Sequence, residues 1–137
     1  MLTSSEKLIY FIIGMTRSDI RPMAKAMDVI IDLHFLQGIP KCEIKMTKHV
    51  YPQVAAMLNK SSASVERSVE RLANLCWDTA VKDNMIDKLT GRPHLAAPSV
   101  SDILFYFCYL LYCRQPFFLL FDGFDAVDAR IPSGLSL

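Results

Sequence analysis

Apolar residues recur at intervals of three and four along most of this chain, the period of helices that bury one side. Leu8, Ile9, Ile12 and Ile13 follow polar residues 3–5 and predict a first helix to about Met15. Ser18 or Asp19 stands where a second helix needs a cap, and Pro22 then falls in the first turn, where its missing N–H is not needed. Met23, Ala26, Met27, Ile30, Ile31 and His34 carry that helix's apolar stripe, and Gly38 with Pro40 ends it. A helical stretch through Ile44 and Thr47 then reaches Val50, Tyr51-Pro52 punctuates the chain, and Val54, Ala55 and Leu58 give a short helix its apolar face. Asn59-Lys60-Ser61-Ser62 reads as a polar turn, with Ser62 as the cap of the next helix.

That next helix, about residues 63–79, has the clearest pattern. Val65, Val69, Leu72, Cys76 and Ala80 fall at steps of four, three, four and four and predict a buried stripe. Ser64, Arg67, Arg71 and Asn74 fall at steps of three, four and three on the opposite side, with Ser68 beside them, and predict an exposed polar stripe. A shorter helix around residues 84–89 and a Gly- and Pro-bearing loop over 90–98 follow. Ser99, with Asp102 three residues on, reads as a capping box opening a last helix to about Tyr112. The expected fold is all-α, a compact bundle of about six helices. Residues 1–115 form the domain and residues 116–137 an apolar C-terminal tail of unknown role.

Composition narrows the class. With 137 residues and 52% apolar side chains, the chain is long enough for a real core and too apolar for disorder. Fifteen basic residues against fourteen acidic ones give a formal charge of +1, so binding to nucleic acid must come from local clustering of charge. Cys42, Cys76, Cys108 and Cys113 are scattered without a CxxC pair, which predicts reduced thiols rather than a disulfide framework or a zinc site. The opening residues lack the basic region and cleavage site of a signal peptide, and the longest apolar run, residues 103–113, is about half the ~20 residues a membrane span needs. A cytoplasmic protein without a membrane segment is expected. No glycine-rich phosphate loop, nucleophile elbow or placed catalytic Cys or Ser occurs, so neither an enzyme nor a cofactor is expected. His34, His49 and His94 lie on separate segments, and His34, on an apolar helix face, reads as a satisfied core residue. Asp122, Asp125 and Asp128 lack the alternation, central glycine and distant Glu of a calcium loop, so no metal is expected.

A short helix, a tight polar turn and a longer helix make a helix-turn-helix, whose second helix fits the DNA major groove with its first residues at base edges. The candidate base readers are Ser64, Glu66, Arg67, Ser68 and Arg71: a guanidinium pairs with guanine through two bonds and a carboxylate accepts from a cytosine amine. Lys60, Ser61 and Ser62 in the turn, and Lys48 and His49 with Lys45 before Tyr51, are candidates for the DNA backbone. The bland reading of Glu66, Arg67, Glu70 and Arg71 is a solvated face with intrahelical ion pairs worth a few tenths of a kcal/mol.

The segment Tyr51-Pro52-Gln53-Val54-Ala55, residues 59–67 (NKSSASVER) and Trp77 together resemble the C-terminal effector domain of the stage-zero sporulation protein A family, the sporulation initiation response regulator. That family carries YPxIA, a polar turn, a helix with S-R-V-E-R-A-I-R and a tryptophan near its end. The chain lies on it without a gap over residues 48–77, and more weakly over 8–111. The resemblance implies a six-helix all-α domain that binds short DNA boxes, typically as tandem copies, and regulates transcription at entry into sporulation. Carried over by position, Glu66 and Arg67 read bases, and Val65, Val69 and Trp77 belong to the core. The chain departs from the family at Ser64 and Glu70, where the family has arginines; a Glu facing phosphate repels it. The family's receiver domain has no counterpart in these residues. The expected partner is double-stranded DNA, bound as a homodimer or in tandem.

The rival reading is a diverged helical protein-interaction module with weak or no DNA binding. Seven methionines and the apolar Phe117, Phe118, Leu119, Leu120, Phe121 and Phe124 would serve a protein partner through the tail, whose bland reading is a segment packed on the domain.

Overall fold

A computed structural model describes residues 1–93 and 96–120. His94 and the Asp122, Asp125, Asp128, Phe121 and Phe124 readings lie outside these residues. The described elements are helical: α1 (Ser4–Ile13), α2 (Arg21–Ile30), α3 (Tyr51–Leu58), α4 (Ser62–Lys82), α5 (Ile86–Thr90) and α6 (Val100–Cys113). No helix among the described residues is long and apolar enough to cross a membrane.

Each helix begins for a local reason. Thr3 and Glu6 form a reciprocal capping box on α1: the Glu6 N–H donates to Thr3 Oγ1 (3.2 Å) and the Thr3 N–H to Glu6 Oε1 (2.9 Å). In α2, Ile20 is the boundary residue, and Asp19 accepts from the Arg21 N–H (3.0 Å) with Pro22 in the first turn. The apolar face of α2 is buried at Met23, Ala26, Met27 and Ile30, and the helix runs on as a π-helical turn, Ile31–Leu36. His34 is half-buried, with both ring nitrogens hydrogen-bonded. Its Nδ1–H donates to the Ile39 carbonyl (2.8 Å), and Nε2 is hydrogen-bonded with the Tyr109 hydroxyl (2.7 Å).

Two details correct the sequence reading. Tyr51-Pro52 does not interrupt the helical path. A π-helical turn, Met46–Val50, leads straight into α3, with Tyr51 N–H bonded back to the Met46 carbonyl and Pro52 in the first turn of α3. Ser99 and Asp102 make half a capping box. The Asp102 N–H donates to Ser99 Oγ (3.1 Å), while the Asp102 carboxylate turns to Lys41 Nζ at 2.8 Å.

Helix α4 packs on α1, α2, α3, α5 and α6, and α2 touches α1, α3, α4 and α6, so these two helices organise the core. Among the described residues, polar ties between helices include the Ser5 hydroxyl donating to Asp28 (2.6 Å) and the Cys108 thiol donating to the Met27 carbonyl (3.5 Å). Trp77 is buried and stacks on Tyr106 of α6 at a centroid distance of 6.1 Å. Beyond α6, Phe117 and Phe118 lie against Tyr106, with Phe117 also edge-on to Tyr109. Gly91 closes α5 at φ +93°, where a Cβ would come within 2.9 Å of the Leu119 backbone nitrogen.

Replacing Trp77 with Ala should destabilise the fold by ~3–5 kcal/mol, read as a lower urea midpoint, because it leaves a cavity beneath Tyr106. Burial also pushes the Cys76 thiol up to about 12 and holds the Cys108 thiol well above its usual range, while Cys42 is exposed. In a disulfide-exchange titration of the native protein, Cys42 should react first, and Cys76 and Cys108 only on unfolding.

Candidate nucleic-acid interface

Helix α3, a turn and α4 form the helix-turn-helix. Asn59 takes a left-handed conformation (φ 55°) after the last residue of α3, and the Lys60 N–H donates to the Ala55 carbonyl (2.9 Å), which closes α3 tightly. The cap of α4 is Ser61, not Ser62. Ser61 is extended (φ −78°, ψ 152°), its hydroxyl oxygen accepts from the Ser64 N–H (3.1 Å), and its carbonyl accepts from the Val65 N–H (3.0 Å). Both positions are serine in the sequence, so the backbone dihedrals decide between them. The first turn of α4 thus leaves the Ser62 and Ala63 N–H groups without a helical partner, at its positive end.

The two stripes of α4 are where the spacing puts them. Val65, Val69, Leu72, Cys76 and Ala80 are all 0% exposed, while Arg67, Arg71 and Asn74 are exposed and Ser64, Glu66 and Ser68 half-buried. The outer side divides further into two rows. Glu66 and Glu70 form one row, close enough to α3 that their charges, after burial, help push the Tyr51 hydroxyl up to about 12. Arg67 and Arg71 form the other, and Arg71 Nη1 donates to Ser18 Oγ in the α1–α2 loop (3.2 Å).

The structure brings Lys60, Ser61, Ser62, Ser64, Glu66, Arg67, Ser68 and Arg71 together on the turn and the first three turns of α4. Lys48 and His49 stand apart from them, both exposed on the π-helical turn ahead of α3. His49 has a local task there: its Nδ1 accepts from the Lys45 N–H (2.8 Å), which leaves Nε2 to carry the ring proton outward. Sequence reasoning missed the α1–α2 loop beside the turn. Asp19 accepts from Arg21 Nε (2.9 Å) and Nη2 (2.8 Å) and lies 3.5 Å from Lys60 Nζ. The Arg21 bonds foremost hold its carboxyl well below the usual range. No spacing in the sequence signals a contact between residues 19 and 60.

Fold and exposed stripe define a helix-turn-helix domain. Residues 33–103, just over half of the chain, match the family model described as sporulation initiation factor Spo0A C terminal. The chain belongs to that family, whose members are DNA-binding effector domains of a sporulation regulator. The matched span runs from the π-helical end of α2 into the first turn of α6 and includes the whole helix-turn-helix. Neither the curated proteins nor the solved structures supply a matching relative.

The cap correction is directly testable. Ser61→Ala should lower stability by about 1 kcal/mol in chemical denaturation, through loss of the acceptor for Ser64 N–H, whereas Ser62→Ala should leave it nearly unchanged.

Proposed function

We propose that this chain is a sequence-specific DNA-binding transcriptional regulator that reads the major groove with the first half of α4. The observation that carries this reading is the exposed Arg67–Arg71–Asn74 row, set directly opposite a fully buried stripe and starting in the second turn of α4. Arg67 and Glu66 address base edges, flanked by Ser64, Ser68 and Arg71. Lys60, Ser61, Ser62, Lys48 and His49 hold the DNA backbone. Ser61 still has its hydroxyl proton for a phosphate oxygen, because its lone pair serves the cap. In this reading residues 1–115 are the effector-like domain, acting as a dimer or in tandem on DNA. Residues 116–137 are an appended segment whose Phe117 and Phe118 rest on α6.

A second reading draws on the apolar side chains left outside. Leu75 and Val81 on α4, Met57 on α3 and Phe11 on α1 are all more than two-fifths exposed, as suits a protein-interaction module. The two readings separate in one experiment: selection from random duplex DNA at two salt concentrations. A DNA-binding regulator enriches a short box and binds with a steep salt dependence; an interaction module does neither.

With such a box in hand, Arg67→Ala should cost ~1–3 kcal/mol of discrimination at one base pair. Arg67 is not the reader if the variant keeps the parent's ratio of specific to random affinity.

A further inference from the structure

We propose that the α1–α2 loop, through Arg17, Ser18 and Arg21 together with Lys60 and Arg71, forms a second phosphate-binding surface that grips one DNA strand beside α4. The inference rests on the DNA reading above and adds to it a contact surface from outside the helix-turn-helix.

Arg71 reaches Ser18 (3.2 Å), while Lys60 (3.5 Å) and Arg21 (2.8 Å) both reach Asp19. Ser18 and Asp19 are adjacent residues with Cα atoms about 3.8 Å apart. Three cationic heads from three elements, the turn, α4 and the start of α2, are therefore gathered on two consecutive residues. Arg17, exposed on the same loop, adds a fourth cation. Asp19 supplies one negative charge to this group, and Glu6 acts on Arg21 less strongly than Asp19 does. Gathered cations repel one another, so one carboxylate leaves the cluster with an excess of positive charge, which a phosphate would offset.

The contacts are also easy to exchange. The Lys60–Asp19 pair has side chains 34% and 38% exposed, and pairs of that kind are worth little in water. The Ser18 hydroxyl, an acceptor for Arg71, keeps its own proton to donate. Lys60 and Arg71 can thus turn from the loop to a phosphate at small cost, while Asp19 keeps Arg21 in a two-bonded, fixed orientation. The location fits as well. These groups lie at the side of α4 that carries Arg67 and Arg71, so a strand bordering the groove that α4 enters would run past them.

Two variants test this surface by duplex binding across a salt series, measured on the enriched box and on a random duplex. Arg17→Gln removes one exposed cation. Arg21→Gln removes a second cation and leaves Asp19 in place, so the positive excess around Ser18 and Asp19 falls by one. Each variant should weaken binding to both duplexes equally and make the slope of log affinity against log salt shallower by about 0.9. Lys88→Gln, at an exposed position of α5, serves as the control and should leave the slope unchanged. Parent-like slopes in both loop variants overturn the second surface and leave the α4 reading intact. A parent chain with no salt-dependent binding overturns both.

Discussion

One buried stripe governs the arrangement of this domain. Val65, Val69, Leu72, Cys76 and Ala80, with Trp77 beside them, are sealed against five other helices. Each fully buried aliphatic side chain contributes on the order of 1.5–3 kcal/mol, so α4 cannot roll about its axis without exposing several of them to water. The opposite row is therefore fixed in orientation as well. Arg67 and Arg71 project from the most firmly held element of the fold, and a recognition surface on a rigid helix keeps its geometry better than one on a loop. The stripe's far end is secured by Trp77 stacking on Tyr106, and Tyr106 also receives Phe117 and Phe118. The segment after α6 is thereby joined through aromatic contacts to the helix that carries the candidate readers, although it lies far from them in the chain.

What the sequence made legible follows from where each kind of information resides. The α4 stripes, the α3 face and the start of α6 could be read because a helix repeats its environment every three or four residues, whichever neighbour supplies the cover. The family words, from Tyr51-Pro52 through Val65-Glu66-Arg67 to Trp77, lie inside this periodic region, and the matched family span contains them all. Details that depend on dihedral angles were not legible. Two adjacent serines offered the same cap chemistry, and only the extended backbone of Ser61 settled which one serves. The π-helical turns before α3 and after α2 carry no compositional mark. Contacts distant in sequence were also out of reach: Arg71 meets Ser18 across 53 positions, and a charge pattern read along one helix cannot reveal a partner on another.

The division of α4's outer side into an acidic and a basic row bears on the departure at Glu70. On a featureless helix, Glu70 would oppose phosphate wherever the DNA lay. Here Glu66 and Glu70 border the Tyr51 end of α3, whereas Arg71, one turn along from Arg67, reaches the α1–α2 loop. The potential across the helix is consequently lopsided, positive toward the loop and negative toward α3. Within the proposed interface, this field favours a strand on the loop side and penalises one pressed against the acidic row. The repulsion from Glu70 then acts on orientation more than on total affinity, because like-charge juxtaposition disfavours the wrong pose while the gathered cations hold the right one. Ser64 fits the same scheme. It stands half-buried in the first turn of α4 with its N–H committed to Ser61, and in place of a long cation it presents a short hydroxyl that lets backbone or base approach the helix closely. On this view the cations of the loop supply, from outside the helix-turn-helix, positive charge that α4 lacks at positions 64 and 70.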